Sequence, residues 1–279
     1  MTNRPIAITG GAGFIGSNLA DTLLAAGERV IAIDNLSRAG VEQNAAWLKE
    51  RHGGRVEVVV ADVRDRDAIA PAIARAGAVF HFAAQTAVTT SLVDPVDDFE
   101  INARGTLNVL EAVRAAGHKA PVVFASTNKV YGSLEDITLS EEASGYAPVD
   151  ELLRARGVGE DRKLAFCTPY GCSKGVADQY VLDYAGSYGI PTAVLRMSCI
   201  YGPRQFGTED QGWVAHFLIR ALQGKPITIY GDGQQVRDVL HVSDAVAAYR
   251  AVLASIEKVS GHAFNLGGGP RNAVSLNAV

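Results

Sequence analysis

The chain has 279 residues, 48% of them hydrophobic and 20% charged, with a formal net charge of −4. That length buries one large α/β core or two unequal lobes, and the absence of a basic block argues against nucleic acid as a partner. No apolar run reaches the length of a membrane span, the N-terminus enters a strand with no signal-peptide pattern, and three cysteines without metal-like spacing (Cys167, Cys172, Cys199) read as free thiols of a reducing cytoplasm.

Pro5-Ile6-Ala7-Ile8-Thr9 is a short apolar run that predicts a buried strand. It leads into Gly10-Gly11-Ala12-Gly13-Phe14-Ile15-Gly16, after which residues 17–24 carry helical periodicity. Strand, glycine turn and helix make an anion cradle. Gly10 permits the tight turn, Gly13 lets backbone approach a pyrophosphate, and Gly16 lets the helix pack on the sheet. The spacing is G-x-x-G-x-x-G, one residue longer than G-x-G-x-x-G. Arg29-Val30-Ile31-Ala32-Ile33 predicts a second strand ending in Asp34-Asn35. An acid at this tip accepts hydrogen bonds from a ribose and repels a 2′-phosphate, so NAD is favoured over NADP, with nearby Arg38 weighing the other way.

Further strands are expected at Val56–Val60, ending at Asp62, at Ala78–Phe82, ending in Ala83-Ala84-Gln85, at Pro121–Ala125, ending at Ser126-Thr127, and at Ala193–Arg196. Helical patterns run from Phe99 to Ala116 and from Gly175 to Tyr188. This alternation predicts an α/β fold, a Rossmann-type doubly wound parallel sheet whose ligands sit at the carboxyl ends of the strands. Residues 1–196 form the expected dinucleotide-binding domain, regaining a strand and a helix near 236–255. Residues 197–279 form a smaller α/β substrate lobe. In that lobe Ile227–Tyr230 and Val239–His241 read as short strands around Gly231-Asp232-Gly233. Arg204 and Arg237 have the planar, bidentate chemistry that suits a diphosphate. For either alone, a surface ion pair is an equal reading.

Tyr170 and Lys174 stand four apart in a helical pattern and therefore share a face. A phenol is a poor base at neutral pH. A neighbouring ammonium is expected to lower its pKa and make it a proton carrier for a sugar hydroxyl. Cys172, between them, faces away and reads as packing.

Thr9 to Gly16 (T-G-G-A-G-F-I-G), Thr127 before Val130-Tyr131-Gly132, and the Tyr170/Lys174 pair resemble the extended short-chain dehydrogenase/reductase family over nearly the whole chain. The resemblance implies bound NAD and catalysis by Thr127, Tyr170 and Lys174. It implies cofactor contacts at Gly10, Gly13, Phe14, Ile15, Gly16, Asp34, Asn35, Asp62, Val63, Ala83 and Ala84, together with Tyr170 and Lys174. Substrate contacts are implied at Gln85, Thr127, Asn128, Arg204, Gln205 and Arg237, with no metal. Asn102 is expected to bond backbone near the site.

The dehydratases of the family place Asp-Glu directly after the catalytic hydroxyl, whereas this chain has Asn128-Lys129, so an elimination lacks its acid. The segments at Ser126–Gly132, Pro169–Tyr180, Gly202–Phe206, Asp210–Trp213 and Gln235–His241 resemble the branch that inverts C2 of a CDP-3,6-dideoxyhexose, of the CDP-paratose to CDP-tyvelose type. Pro203 stands where that branch is expected to carry a second glycine. A nucleotide-diphosphate sugar, with CDP favoured, is thus the implied partner. A UDP-hexose 4-epimerase shares every catalytic residue and is the alternative. A silent NAD-binding sensor would have lost one of the three catalytic residues, and a net reductase would hold its cofactor loosely. The resemblance also implies a homodimer through the helix from Phe99 and the helix of Tyr170. Leu107, Val109, Leu110, Val176, Tyr180 and Val181 there read equally as dimer seam or core. Asn265–Gly269 precedes further helices in the family, so part of the substrate lobe is expected beyond Val279.

Overall fold

The computed structural model describes residues 4–279, so residues 1–3 of the expected first domain lie outside the described residues. The first half alternates regularly: β1 (Ile6–Thr9), α1 (Phe14–Ala25), β2 (Val30–Asp34), α2 (Val41–His52), β3 (Val56–Val60), α3 (Arg66–Arg75) and β4 (Ala78–His81). Next come α4 (Val88–Val93), α5 (Pro95–Phe99), a π-helical turn (Glu100–Arg104), α6 (Gly105–Ala116) and β5 (Val122–Thr127). The second half is less regular. It holds β6 (Leu139–Glu142), β7 (Gly145–Pro148), α7 (Glu151–Arg156), α8 (Thr168–Tyr188), β8 (Thr192–Met197), β9 (Cys199–Tyr201) and α9 (Trp213–Leu222). The chain closes with β10 (Val236–His241), α10 (Val242–Ala254), α11 (Ile256–Val259), β11 (His262–Leu266) and β12 (Ala273–Ser275).

Seven strands form one sheet in the order β11-β8-β5-β4-β1-β2-β3, all pairs parallel. Both faces are covered, which is why the strands read as continuous apolar runs rather than alternating ones. Successive residues of one strand serve opposite faces. Val122 and Phe124 of β5 pack with Val109 and Leu110 of α6 and Val181 of α8. Val123 and Ala125 pack with Leu19 of α1 and Val246 and Tyr249 of α10. A small sheet, β12-β10-β9, and the antiparallel hairpin β6-β7 stand apart from this core.

Several elements differ from expectation. The helix expected from Phe99 is interrupted by the π-helical turn, whose Asn102 is buried and hydrogen-bonded. After residue 196 the chain re-enters the main layer through α10 and then β11, which pairs with β8. Strand β10 belongs to the small sheet instead. Residues 227–230 are not a strand. Ile227, Ile229 and Tyr230 are exposed there, with no partner strand to bury their apolar side.

Candidate active site

The carboxyl ends of β1, β2, β4, β5 and β8 open onto one cleft of about 510 Å3. Every position assigned above to a dinucleotide lines it. At the end of β1 the backbone turns at Gly10 with φ +67°, and a Cβ there would lie 2.8 Å from the Ala83 nitrogen. A Cβ on Gly16 would strike the Gly10 carbonyl. Gly13 caps α1 without a side-chain hydrogen bond, which leaves the first-turn amides to an anion. Asp34 ends β2, and its carboxylate accepts from Ala12 N at 3.0 Å and Leu36 N at 2.9 Å. Burial raises its pKa. Asn35 donates to Asp62 at 2.8 Å, and hydrogen bonds from Arg64 hold the Asp62 carboxyl down at about 2. Arg38 also lines the cleft and donates to Thr86 at 3.3 Å. A second, shallow depression over Asp62, Arg64, Asp65, Arg66 and Asn108 is open surface relief.

Thr127 ends β5, and Tyr170 and Lys174 lie one turn apart on α8; all three are buried. The Thr127 hydroxyl donates to Asn128 Oδ1 at 3.4 Å and accepts from Lys129 N at 3.2 Å. Tyr170 N donates to Ser91 Oγ at 3.2 Å, which fixes the start of α8 against α4. The expected lowering of the Tyr170 pKa is not what the structure gives: burial pushes it up to about 12, with Thr127 opposing. Burial likewise pulls Lys174 down to about 7, with Asp178 and Asp98 opposing. The physical reason is desolvation of both groups. The ammonium also donates to the Ala125 carbonyl at 2.7 Å and sits 4.1 Å from the centre of the Phe124 ring.

The pair stands on a buried polar frame. Ser173 donates to Asp98 at 2.5 Å, and Asn102 donates to Asp98 and to Ser173, each at 3.1 Å. Asn102 also accepts from Gln85 N at 2.9 Å, which is the backbone role its position suggested. One turn beyond Lys174, Asp178 accepts from Ser126 at 2.7 Å and pairs with Arg196 of β8 at 2.9 Å. Arg196 donates in turn to Tyr131 at 3.0 Å, and Tyr131 to Asn265 of β11 at 2.8 Å.

The far side of the cleft departs more from the sequence. Asn128, Gln205 and Arg237 line it. Gln85 does not: its amide closes on Ala87, donating to the carbonyl at 2.7 Å and accepting from the nitrogen at 2.9 Å. With both ends of the amide satisfied locally, the side chain is drawn away from the wall. Arg204 lines the cleft, but its guanidinium lies over the Trp47 indole, a stable berth for a cation. Both arginines line this cleft, Arg204 resting on Trp47. Sequence reasoning missed Ser198 altogether and noted Trp213 only as part of Asp210–Trp213. Among the described residues, the buried side-chain polar atoms without a hydrogen-bond partner are Ser198 Oγ, Gln205 Oε1 and Trp213 Nε1, and all three residues line this cleft. No group of three or more His, Cys, Asp or Glu side chains suited to a metal ion occurs among the described residues.

Residues 6–267 match the NAD dependent epimerase/dehydratase family. The chain is 47% identical over 276 residues to a CDP-paratose 2-epimerase from Salmonella typhi, covering 96% of this chain and 80% of that one. A putative UDP-glucose 4-epimerase from Methanocaldococcus jannaschii is 35% identical, covering 87% of this chain and 71% of that one. Among solved structures, the UDP-glucose 4-epimerase of Thermus thermophilus in complex with NAD superposes with a TM-score of 0.79 at 34% identity, covering 98% of this chain and 79% of that one.

Proposed function

The chain belongs to the NAD dependent epimerase/dehydratase family, and on that premise we propose that it inverts C2 of a CDP-3,6-dideoxyhexose of the CDP-paratose type. The observation that carries this reading is the 47% identity to the Salmonella typhi enzyme over 96% of the chain. Asn128-Lys129 after Thr127 favours an epimerase over a dehydratase, because neither residue is a carboxylic acid that could stand in for the Asp-Glu pair expected of a dehydratase there.

The glycine turn with its uncapped α1 terminus fits a pyrophosphate, and Asp34 fits a ribose without a 2′-phosphate. Those residues would hold NAD, with Asp62, Val63, Ala83 and Ala84 along its length. When bound, it would supply a reversible hydride acceptor, so that inversion at C2 needs no net redox change. Tyr170 moves the proton on and off the sugar 2-hydroxyl. The Thr127 hydroxyl steadies the phenolic oxygen and favours its deprotonated form. Lys174 is held by Ala125 beneath it as the neighbouring cation. Burial of all three excludes water and fixes their orientation before the sugar arrives.

Residues 1–196, together with α10 and β11, serve as the cofactor-binding layer in this reading, and the small sheet with α9 serves as the substrate lobe. The enzyme works in the cytoplasm as a homodimer. The seam needs revision, since Val109, Leu110 and Val181 are core residues. Its apolar candidates are the exposed Val93, Val96, Phe99 and Tyr180 on α4, α5 and α8.

The test is an assay of the purified protein against CDP-paratose and UDP-galactose, with bound NAD quantified after denaturation. Interconversion of CDP-paratose and CDP-tyvelose without consumption of added NADH is expected. Turnover of UDP-galactose with CDP-paratose untouched would instead establish a UDP-hexose 4-epimerase, the second reading, favoured by the likeness to the Thermus thermophilus structure.

A further inference from the structure

Resting on the reading of Tyr170 as the proton carrier and Lys174 as its neighbouring cation, we infer that Asp98 is a positioning residue for that pair: a buried counter-charge that holds the Lys174 ammonium in its charged form beside the phenol. Asp98 does not line the cleft, so it acts through Lys174 and not on a ligand. It is 1% exposed. Burial of a carboxylate is rare, and it costs stability unless the charge is met.

Neutral donors fasten both oxygens of this carboxylate. Ser173 donates to Oδ2 and Asn102 to Oδ1, and Asn102 also donates to Ser173, which closes a triangle. Ser173 directly precedes Lys174 on α8, so the triangle fixes the carboxylate to the lysine's own turn. Neutral donors orient an anion without cancelling its charge. That charge reaches Lys174, where Asp178 and Asp98 both favour the ammonium against burial.

Lys174 needs such a partner. Its ammonium donates to the Ala125 carbonyl and faces the Phe124 ring, and both are uncharged. Burial holds it at about 7, so a modest change in nearby charge alters its protonation at neutral pH. The other ionisable groups packed around it supply no free anion. Asp178, one turn further along α8, accepts from Arg196 of β8 through both oxygens, at 3.0 and 2.9 Å, so its charge is met in contact. His81 of β4 is pulled down to about 3, by burial and by Lys174, and is neutral. Tyr170 is uncharged until it gives up its proton. Lys129, in the turn after β5, is exposed and cationic. Helix α4 carries no ionisable side chain. Asp97 pairs with Arg64, Glu100 with Arg104, and Glu111 of α6 with Arg114. Asp98 is the carboxylate whose charge is left for Lys174.

Asp98→Asn keeps the side-chain volume and removes the charge. Loss of an anion lowers the pKa of each proton-binding group near it, so Lys174 and Tyr170 both shift the same way. The experiment is 13C NMR of the NAD-loaded protein labelled at lysine, for the wild type and Asp98→Asn, with the Lys174 resonance assigned from Lys174→Met. The pH profile of CDP-paratose turnover is measured beside it. In Asp98→Asn the Lys174 titration is expected to move down by about half to one pH unit, and both limbs of the turnover profile to move to lower pH with it. A merely structural role would lower the height of the profile and leave its limbs in place. Asp97→Asn, at an exposed and screened carboxylate one position away, is the control and is expected to move the Lys174 titration by less than about 0.2 pH unit. An unmoved Lys174 titration in folded Asp98→Asn overturns the inference. Should that variant not fold, the wild type decides: 13C NMR of its aspartates is expected to find the Asp98 carboxyl ionised at neutral pH, and a protonated carboxyl there overturns the inference. Wild-type protein that turns over no nucleotide sugar sinks the epimerase reading alone, because the lysine titration still judges Asp98.

Discussion

The two sides of the cleft are built on opposite terms. On the proposed catalytic side, β5 supplies Thr127 and α8 supplies Tyr170 and Lys174, and Arg196 of β8 pairs with Asp178 behind them. Asp178 is 0% exposed and Arg196 5%, and their pair, the Asp98–Ser173–Asn102 frame and the Ala125 carbonyl leave those groups bonded within the protein. On the opposite side, α9 has no buried residue, Arg204 takes a left-handed φ of +69°, and three polar atoms among the described residues are buried without a partner. The difference teaches where each kind of work is done. Groups that move a proton must be in position before substrate arrives, so the protein completes their bonds itself.

The contrast can be broken most forcefully at Tyr170. Tyr170→Phe keeps the ring and its packing and removes only the proton carrier. Turnover is expected to fall about a thousandfold, with NAD content unchanged. Retention of more than about a tenth of wild-type turnover would remove Tyr170 from the chemistry and with it the asymmetry between the two walls.

A second comparison sets a locked group against an open one by urea unfolding. Asp178→Asn strands the buried Arg196 charge and is expected to cost about 3–5 kcal/mol. Leu218→Ala on the exposed side of α9, where Leu218 is 60% exposed, is expected to cost less than about 0.5 kcal/mol. Comparable losses for the two would mean that the lobe is as tightly built as the sheet.

The smallest effect is a pH dependence at the cofactor end. Asp62 is held at about 2 against an ordinary 3.8, chiefly by the hydrogen bonds from Arg64. The folded state therefore prefers the carboxylate, and the stability gained is present above about pH 4 and lost as pH falls toward 2. Solvent screening at this partly exposed pair limits the gain to about 1 kcal/mol or less. Asp62→Asn should lie below wild type by that amount at pH 7 and converge with it near pH 2, measured by unfolding at each pH. A gap that stays constant across that range would rule out the ion pair as its origin.

Much of the fold and half of the site were legible in the chain. Six apolar runs in the first 200 residues became strands of the parallel sheet, because a strand buried on both faces advertises itself by continuous hydrophobicity. The glycine turn, Asp34 and the Tyr170/Lys174 spacing were readable because each depends on neighbours a few residues away. The segment at Ile227–Tyr230 misled because β-propensity counts only when a partner strand is present. The local bonding of the Gln85 amide to Ala87 was not legible, because it depends on how the turn after β4 folds.

Local order is what the amino-acid sequence determined alone: the run of strands and helices, the anion-binding turn, and a tyrosine and a lysine on one helical face. Tertiary structure decided the rest. It sent β11 rather than β10 back to the main sheet, raised Tyr170 to about 12 where a neighbouring ammonium had been expected to lower it, and turned Arg204 onto Trp47. It also left Ser198, Gln205 and Trp213 without partners along one wall. Spacing along the chain fixes which groups can meet within a turn or two of helix. Desolvation and long-range pairing depend on what the whole fold packs around a group, and no local pattern encodes that.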